Sequence, residues 1–324
     1  MTLFFSDDHW SSNDKYDLNK LKDFCLRRLL ETYGRRADRI FHLGDQTDRR
    51  HFDAVLMAQM SRVYLESLVG EISKLVVVCG NHDSSDRLIT PFSTFANGTW
   101  ANGKGISIVG RDGDSFGDFY CRGWLSNETL SQTDAKYLLT HARVKEWAGT
   151  GEKAFTLEEL NSLLFERIIL GDTHQQAESG KVLSVGCLFP SSFKDEGIEA
   201  GAVWFDEDHN SFQRIKIPNY PVFRKLVVTP ETSEPEASWV KGNIVRVEFK
   251  GPQRWITDDL KRRWQLAIWA REPRSFEFGE DFYIGETKVQ QAVSSLSVEQ
   301  RYEEIANSLG WEAEVVEIGR KALA

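Results

Sequence analysis

Short apolar runs recur through the first two hundred residues, and stretches with helical spacing separate several of them. The runs lie at positions 3–5, 39–43, 74–79, 137–139, 168–170, 182–185 and 202–205. Apolar residues from Leu18 to Leu29 recur at helical spacing before Gly34, and a second helix-like stretch covers 52–68. Strands that alternate with helices predict an α/β domain whose sheet is largely buried on both faces.

The pattern changes after position 228. Residues 229–238 contain two prolines, three glutamates and no large apolar residue, which is typical of a linker. Positions 243–249 then alternate like a half-exposed strand, Thr257 is a candidate N-cap for a helix, and another strand is expected near 275–278. Apolar stripes predict two more helices after Ser297. We therefore expect a large domain over 1–228, a small α+β unit over 239–290 and a helical tail over 291–324.

Composition places the chain among soluble globular proteins. It has 324 residues, of which 41% are hydrophobic and 27% charged, and no apolar run is long enough to span a bilayer. The first residues lack the pattern of a signal or transit peptide, and the four cysteines are scattered singly, so we expect reduced thiols in the cytoplasm. A net charge of −9 argues against coating nucleic acid through the overall field, but it allows a local basic track or an anionic substrate held by metal cations.

Residues of the types that bind metals follow the apolar runs at five points. The segments are DDH at 7–9, GDQTDR at 44–49, GNHD at 80–83, TH at 140–141 and GDTH at 171–174. Loops at the carboxyl ends of parallel strands converge on one edge of a sheet, so we expect the five segments to meet there. Any one segment could be a charged loop, a buried histidine or a helix cap, but the full set favours a single polar site.

The residue types indicate which ions this site would hold. Carboxylates, imidazoles and one amide oxygen suit manganese, iron, zinc or magnesium, and there are too many donors, with no thiolate, for one tetrahedral zinc. Two ions that share a bridging carboxylate, roughly 3.5–4 Å apart, would clamp the attacking and leaving oxygens of phosphoryl transfer. Seven candidate ligands would suit two octahedral ions that leave positions open for water.

This set of motifs resembles the calcineurin-like metallophosphoesterase superfamily. Within it, the chain is similar to the SbcD-type nuclease subunit of DNA double-strand-break repair complexes, including phage-encoded versions. The segment VLSVGCLFPSSFKDE followed by GAVWFD resembles the closing segment of that family, and NIVRVEFKG resembles the start of its capping domain. The resemblance implies an α/β fold with a β-sandwich flanked by helices (four-layer α/β/β/α), a small α+β capping domain that binds DNA, and a helical C-terminal tail.

The resemblance also implies a role for each motif residue. The first metal would be held by Asp7, His9, Asp45 and His174, with Asp45 as the bridge, and the second would be completed by Asn81, His141 and Asp172. His82 resembles the family's general acid. Asp48 would orient His82, or Asp83 would do so instead.

One position departs from the family pattern. The last motif is usually Gly-His-x-His, and this chain has Asp172 at the first histidine position. Two divalent cations and three aspartates leave a net charge of +1, whereas histidine there would leave +2. Oxygen ligation also shifts the preference toward manganese or magnesium. We expect Asp172 to ligate the second metal; if it points away, that metal lacks a ligand.

The motifs and the resemblance together predict a metal-dependent DNA exo- or endonuclease that uses two divalent ions. Manganese is the expected metal, and magnesium is the alternative. Phosphate contacts are expected from Arg49, Arg50, Lys261, Arg262 and Arg263. The expected partners, as the resemblance implies, are double-stranded DNA ends, an SbcC-type ATPase that binds the tail, and a second copy of the chain through its first helices. No membrane is expected.

Other functions remain open at this stage. A phosphomonoesterase or a cyclic-nucleotide phosphodiesterase shares the motif set but needs neither the capping unit nor the paired-helix tail. A Ser/Thr protein phosphatase is disfavoured, because GNHD stands where GNHE is expected and no glycine follows 48–49. A non-catalytic DNA-binding subunit has Asp172 as its support.

Overall fold

The computed structural model describes residues 1–48, 54–83, 106–110, 112–124, 133–148 and 154–283. These residues form two compact units, one of 1–224 with 242–244 and one of 225–241 with the described residues from 245 onward. The division at 224 falls four residues before the expected boundary at 228. The predicted tail, Arg49 and Arg50 lie outside the described residues, so the expectations for them stay predictions.

The first unit contains twelve described strands and four described helices. The strands are β1 (Thr2–Phe5), β2 (Arg39–His42), β3 (Leu75–Val78), β4 (Ser107–Val109), β5 (Asp114–Phe116), β6 (Phe119–Arg122), β7 (Tyr137–His141), β8 (Arg167–Gly171), β9 (Ala177–Ser179), β10 (Val182–Ser184), β11 (Gly201–Asp206) and β12 (Ser211–Lys216). The helices are α1 (Asn19–Thr32), α2 (Ala54–Ser67), α3 (Lys145–Ala148) and α4 (Leu157–Ser162). Short 3₁₀ turns lie at Gly34–Arg36, Ile72–Lys74 and Phe193–Asp195.

These strands form two six-stranded mixed sheets. The first has the order β12-β11-β1-β2-β3-β4, with β1 to β4 parallel and β11 and β12 antiparallel. The second has the order β5-β6-β7-β8-β10-β9, with a parallel centre and one antiparallel strand at each edge. The central strands are buried along their whole length, as the apolar runs predict.

Three apolar layers hold the first unit together. Between the sheets lie Phe4 and Phe41 from the first sheet and Phe119, Leu139 and Ile169 from the second. The helices α1 and α2 pack on the outer face of the first sheet, and α4 packs on the outer face of the second. The predicted α/β sandwich flanked by helices is therefore confirmed.

The second unit is a small four-stranded sheet with a helix. Its strands are β13 (Phe223–Val228), β14 (Ile244–Gly251), β15 (Ser275–Phe278) and β16 (Phe282–Tyr283), in the order β13-β14-β15 with β16 parallel to β14. Its helices are α5 (Ala237–Val240) and α6 (Asp258–Trp269), and a 3₁₀ turn lies at Gln253–Trp255. Thr257 Oγ1 accepts the Leu260 N–H at 3.2 Å, which confirms the predicted N-cap. Trp264 and Ile268 are the buried residues of α6, and they pack in the apolar core of this unit.

Among the described helices, none combines the length and the apolar character that crossing a bilayer requires.

Removal of the Phe4 ring should test the layer between the sheets. Phe4 is fully buried, and its ring centroid lies 5.5 Å from Phe41 and 6.0 Å from Phe205. Phe4→Ala should lower the free energy of unfolding by about 3–5 kcal/mol, because it opens a cavity that close packing cannot refill. The matched control is Leu164→Ala, where the side chain is 79% exposed, with an expected change within about 1 kcal/mol. Urea unfolding measures both, and equal losses would contradict the assignment.

Candidate metal centre

The five motif segments meet, but at the end of a sandwich of two sheets. Segments 7–9, 44–48 and 80–83 follow β1, β2 and β3 of the first sheet, whereas 141 and 171–174 come from β7 and β8 of the second. The expectation of one sheet edge was therefore wrong. Parallel strands buried on both faces have the same apolar pattern in either sheet, so the sequence did not distinguish them.

Direct hydrogen bonds join the two sheets at this point. His141 Nδ1 donates to the Leu43 carbonyl oxygen at 2.7 Å, and the Asp172 N–H donates to Asp7 Oδ2 at 3.2 Å. Each bond links a loop of the second sheet to a loop of the first. The first bond also fixes the ring of His141 and leaves its Nε2 available to the site.

The first cluster consists of Asp7, His9 and His174. His9 Nε2 and His174 Nε2 lie 3.0 Å apart, and each is 3.6 Å from Asp7 Oδ1. His174 Nδ1 hydrogen-bonds Asp195 Oδ1, which orients the ring with Nε2 toward the cluster. Three ligand atoms of the kinds that divalent metals bind therefore converge on one point.

The second cluster consists of Asp7, Asp45 and His141. His141 Nε2 lies 3.4 Å from Asp45 Oδ2, 3.0 Å from Asn81 Oδ1 and 3.6 Å from Asp172 Oδ1. All four side chains implied for the second metal are thus gathered, and Asp172 points inward. Asp7 is the carboxylate common to both clusters; the bridging role of Asp45 stays a prediction.

The donor set fits divalent cations. Asp7 Oδ1 is buried and receives no hydrogen bond from any residue that the structure describes. A buried carboxylate oxygen without a donor is costly, and here its neighbours are two imidazole nitrogens that also ligate metals. A cation bound between these atoms would satisfy the oxygen and both nitrogens, so the geometry supports metal binding at both clusters.

The carboxylates of the site shift the pKa values of its histidines. Burial lowers the pKa of His9 and His141, but neighbouring carboxylates outweigh burial and raise both pKa values. For His174, Asp195 and Asp7 overcome burial and raise the pKa to about 9. Burial opposes ionisation of Asp45 too, yet His141 and His9 hold its pKa well below its usual value. The carboxylates thus attract protons when no metal is present.

Four of the candidate ligands have an unusual backbone. Asp7, His9, Asp45 and Asp172 have φ values of 57°, 48°, 56° and 77°, in the left-handed region that side chains rarely adopt. Such strain persists only where surrounding contacts enforce it, and it is concentrated at functional sites. Buried Lys22 supplies one such contact, because its Nζ donates to the His9 carbonyl oxygen at 2.6 Å.

Glycines let the loops approach each other closely. A Cβ on Gly80 would lie 2.1 Å from Asp45 Oδ1, and a Cβ on Gly44 would lie 2.5 Å from His141 Nδ1. Gly44 also has a φ of +99°. These contacts explain why glycine precedes Asp45 and Asn81 in the motifs.

His82 lies beside the second cluster with its side chain 41% exposed, and its Nε2 is 3.9 Å from Asp45 Oδ2. Its Nδ1 is 2.7 Å from the main-chain oxygen of Asp48, while the Asp48 carboxylate lies 3.5 Å from His9 Nδ1. Asp48 therefore contacts His82 through its carbonyl, and not through the carboxylate that the sequence suggested. The Asp83 carboxylate accepts main-chain N–H groups of Asp45, residue 46 and Gly80 at 2.6–3.0 Å, so it shapes the loops instead of orienting His82.

Sequence reasoning missed three residues that support the site. They are Lys22 under His9, Asp195 on His174, and Arg143, which pairs with Asp172. For Asp195 the sequence offered a signal, namely a serine followed three residues later by an acidic residue. In the structure, Ser192 and Asp195 form the capping box that this spacing indicates. Lys22 and Arg143 had none, since each is brought to the site by tertiary packing.

The candidate DNA contacts in the second unit differ in their surroundings. Arg262 and Arg263 on α6 are exposed. Lys261 instead donates to Asp281 Oδ2 at 2.6 Å, which reduces its availability for phosphate.

The family comparison covers the part of the chain that contains the site. The family described as calcineurin-like phosphoesterase matches residues 2–189, a span that includes both clusters. Among solved structures, a novel archaeal phosphodiesterase is 14% identical, with a TM-score of 0.36 and coverage of 66% of this chain and 98% of that one. A predicted phosphoesterase from Streptococcus pneumoniae TIGR4 is also 14% identical, with a TM-score of 0.30 and coverage of 66% and 96%. The search of curated proteins found no match.

Asp195→Asn should reduce the protons that metal binding releases. In the wild type, His174 with a pKa of about 9 is charged at pH 7.5, so a metal must displace its proton and affinity should rise with pH toward 9. Without the carboxylate, the pKa of His174 should fall toward its ordinary value. Calorimetric Mn²⁺ titrations in buffers of different ionisation enthalpy should show up to about one proton fewer per chain, with about 10- to 100-fold weaker binding.

The matched control for that titration is Asp206→Asn. Asp206 contacts the exposed His209 at 2.8 Å, so the control removes a carboxylate–histidine contact outside both clusters. It should leave proton release unchanged. Equal proton release by all three proteins would show that Asp195 does not set the protonation of His174.

Proposed function

The chain belongs to the calcineurin-like phosphoesterase family, and we propose that it is a DNA nuclease subunit of the SbcD type. Membership makes it a metal-binding hydrolase of phosphoester bonds. The proposal adds the substrate, which is the phosphodiester backbone of double-stranded DNA ends, and it adds manganese as the preferred metal.

The observation that carries the proposal is the pair of donor clusters that share Asp7. One carboxylate common to two groups of ligands is what a site for two neighbouring cations requires. When bound, divalent cations neutralise phosphate oxygens and make water a better nucleophile at neutral pH. Asp7, Asp45 and Asp172 favour hard cations such as Mn²⁺ or Mg²⁺.

His82 supplies the proton for the leaving oxygen in this proposal. Its Nδ1 contacts the Asp48 carbonyl oxygen, an acceptor, so Nδ1 carries a hydrogen and the ring orientation is fixed. Its Nε2 lies 3.9 Å from Asp45 Oδ2, at the edge of the second cluster. The exposed position of His82 lets a substrate approach it, and proton donation by a positioned histidine stabilises the departing sugar oxygen.

The proposed DNA contacts are local, since the chain has a net charge of −9. Exposed Arg262 and Arg263 on α6 provide positive charge, and Arg49 and Arg50 would add to it. Such contacts bind phosphates without reading bases, which suits an enzyme that acts on DNA ends. Binding should therefore weaken steeply as salt concentration rises.

The proposed assembly contains two further protein contacts. The tail at 291–324 would bind an SbcC-type ATPase, and a second copy would pack through the first helices. Phe24 on α1 is 56% exposed and offers apolar surface for the latter contact. The proposed location of the complex is the cytoplasm.

The nuclease proposal predicts Mn²⁺-dependent degradation of linear double-stranded DNA. His82→Ala should slow it by about 10²- to 10⁴-fold because the proton donor is lost, and Asp45→Ala should abolish it. His209→Ala is the matched control, since His209 is exposed and lies outside both clusters, and it should leave the rate unchanged. The assay also includes bis-p-nitrophenyl phosphate, p-nitrophenyl phosphate and cyclic nucleotides.

Each other outcome of this assay would indicate a different function or a contaminant. Degradation that survives both substitutions comes from a contaminating nuclease. Hydrolysis of p-nitrophenyl phosphate without DNA cleavage indicates a phosphomonoesterase, and cleavage of cyclic nucleotides alone indicates a cyclic-nucleotide phosphodiesterase. DNA binding with fewer than two metals per chain and no hydrolysis indicates a non-catalytic subunit.

Deletion of 296–324 tests the proposed ATPase contact. The truncated protein should lose co-purification with an SbcC-type ATPase, while its Mn²⁺-dependent hydrolysis of bis-p-nitrophenyl phosphate stays unchanged because every cluster residue is retained. Co-purification of the truncated protein would place the contact elsewhere. Loss of hydrolysis would show that the tail also supports the catalytic unit.

A further inference from the structure

An ion pair at the edge of the second cluster is not predicted by the strand-end motifs. Arg143 Nε donates to Asp172 Oδ2 at 2.9 Å, and Arg143 Nη2 donates to Asp172 Oδ1 at 3.4 Å. The same Oδ1 lies 3.6 Å from His141 Nε2. A single carboxylate therefore separates the guanidinium from the imidazole of the second cluster.

The pair changes the charge of the site. Asp172 leaves two bound divalent cations with a net +1, and the guanidinium of Arg143 brings the total to +2, the value that a histidine at position 172 would give. The Asp172 carboxylate is only 5% exposed, so the pair holds one side of the guanidinium against a buried part of the site.

Arg143 has donors left after it binds Asp172. A guanidinium carries five N–H groups in a rigid plane, and the hydrogen bonds of Arg143 within the described part of the chain use Nε and Nη2. Its side chain is 45% exposed, although its partner is buried. The group is thus anchored on one side and accessible to a ligand on another.

We propose that Arg143 is a substrate-binding residue, which Asp172 positions so that its remaining N–H groups bind a non-bridging oxygen of the phosphate that is hydrolysed. The planar fork of arginine can bind a carboxylate and a phosphate oxygen at once, which a lysine ammonium cannot do with the same geometry. This inference rests on the hydrolysis of phosphoesters and does not require that the substrate be DNA.

Phosphate titration of the Mn²⁺-loaded protein tests the inference. Arg143→Gln should weaken the binding of inorganic phosphate by about 10- to 100-fold, the loss expected for one charged hydrogen bond, and should raise KM for bis-p-nitrophenyl phosphate by a similar factor. The number of Mn²⁺ ions bound without phosphate should not change. Lys145→Gln is the matched control, because it removes one positive charge from an exposed side chain two residues further along.

A second pair of variants separates substrate binding from support of Asp172. Asp172→His removes the carboxylate that neutralises Arg143 and should weaken binding of the second Mn²⁺, since an unpaired guanidinium then faces the ion. The double variant Asp172→His with Arg143→Gln should recover Mn²⁺ binding, while phosphate binding stays as weak as in Arg143→Gln alone.

Two results would overturn the inference. One is phosphate affinity in Arg143→Gln equal to that in Lys145→Gln. The other is loss of Mn²⁺ and phosphate together in Arg143→Gln, which would leave Arg143 only a support for Asp172. Failure of the nuclease proposal gives a different result, namely a wild-type protein that binds phosphate through Arg143 but does not cleave DNA.

Discussion

The burial of several carboxylates at one point is the constraint on which the rest of the structure depends. Asp7, Asp8, Asp45 and Asp83 are almost completely removed from solvent. Two unit charges of like sign 4 Å apart repel by about 4 kcal/mol at the effective dielectric constant that describes protein sites near the surface, and desolvation adds to this cost. The fold must therefore give each carboxylate a compensating partner, and the kind of partner determines what the residue does.

Three of these residues meet the requirement differently. Asp83 accepts three main-chain N–H groups and becomes part of the loop framework, although burial and Asp45 raise its pKa to about 6. Asp8 accepts the Tyr64 hydroxyl and lies 3.0 Å from His42 Nε2. Asp7 directs one oxygen at the imidazoles of His9 and His174 without a donor. The main-chain N–H groups compensate Asp83 and the His42 ion pair compensates Asp8, whereas Asp7 Oδ1 faces two metal-ligating imidazoles, which balance it when they are protonated or when they share a bound cation with it.

The sequence predicted much of this arrangement because its signals are local. Apolar runs located the strands, and the ligand-type residues directly after them could only lie at strand ends. The residue pattern alone could not separate Asp7 from Asp8, which only the family resemblance did, since the side-chain directions of adjacent loop residues depend on φ. It could not show that Asp48 presents its carbonyl oxygen to His82, or that Arg143 reaches Asp172. Those contacts depend on how the loops after neighbouring strands of one sheet fold against each other, and a strand's apolar pattern does not encode that.

Protons and divalent cations are alternative ways to balance the same carboxylates. A histidine whose pKa is raised in the folded state stabilises the fold below its ordinary pKa, and this contribution is lost as pH rises through the folded value. For His174 that window runs from about 6.5 to about 9. Metal affinity rises over the same window, because fewer protons compete for the imidazole. Protonated histidines therefore compensate the buried aspartates where metals bind weakly, and cations replace them as the protons leave.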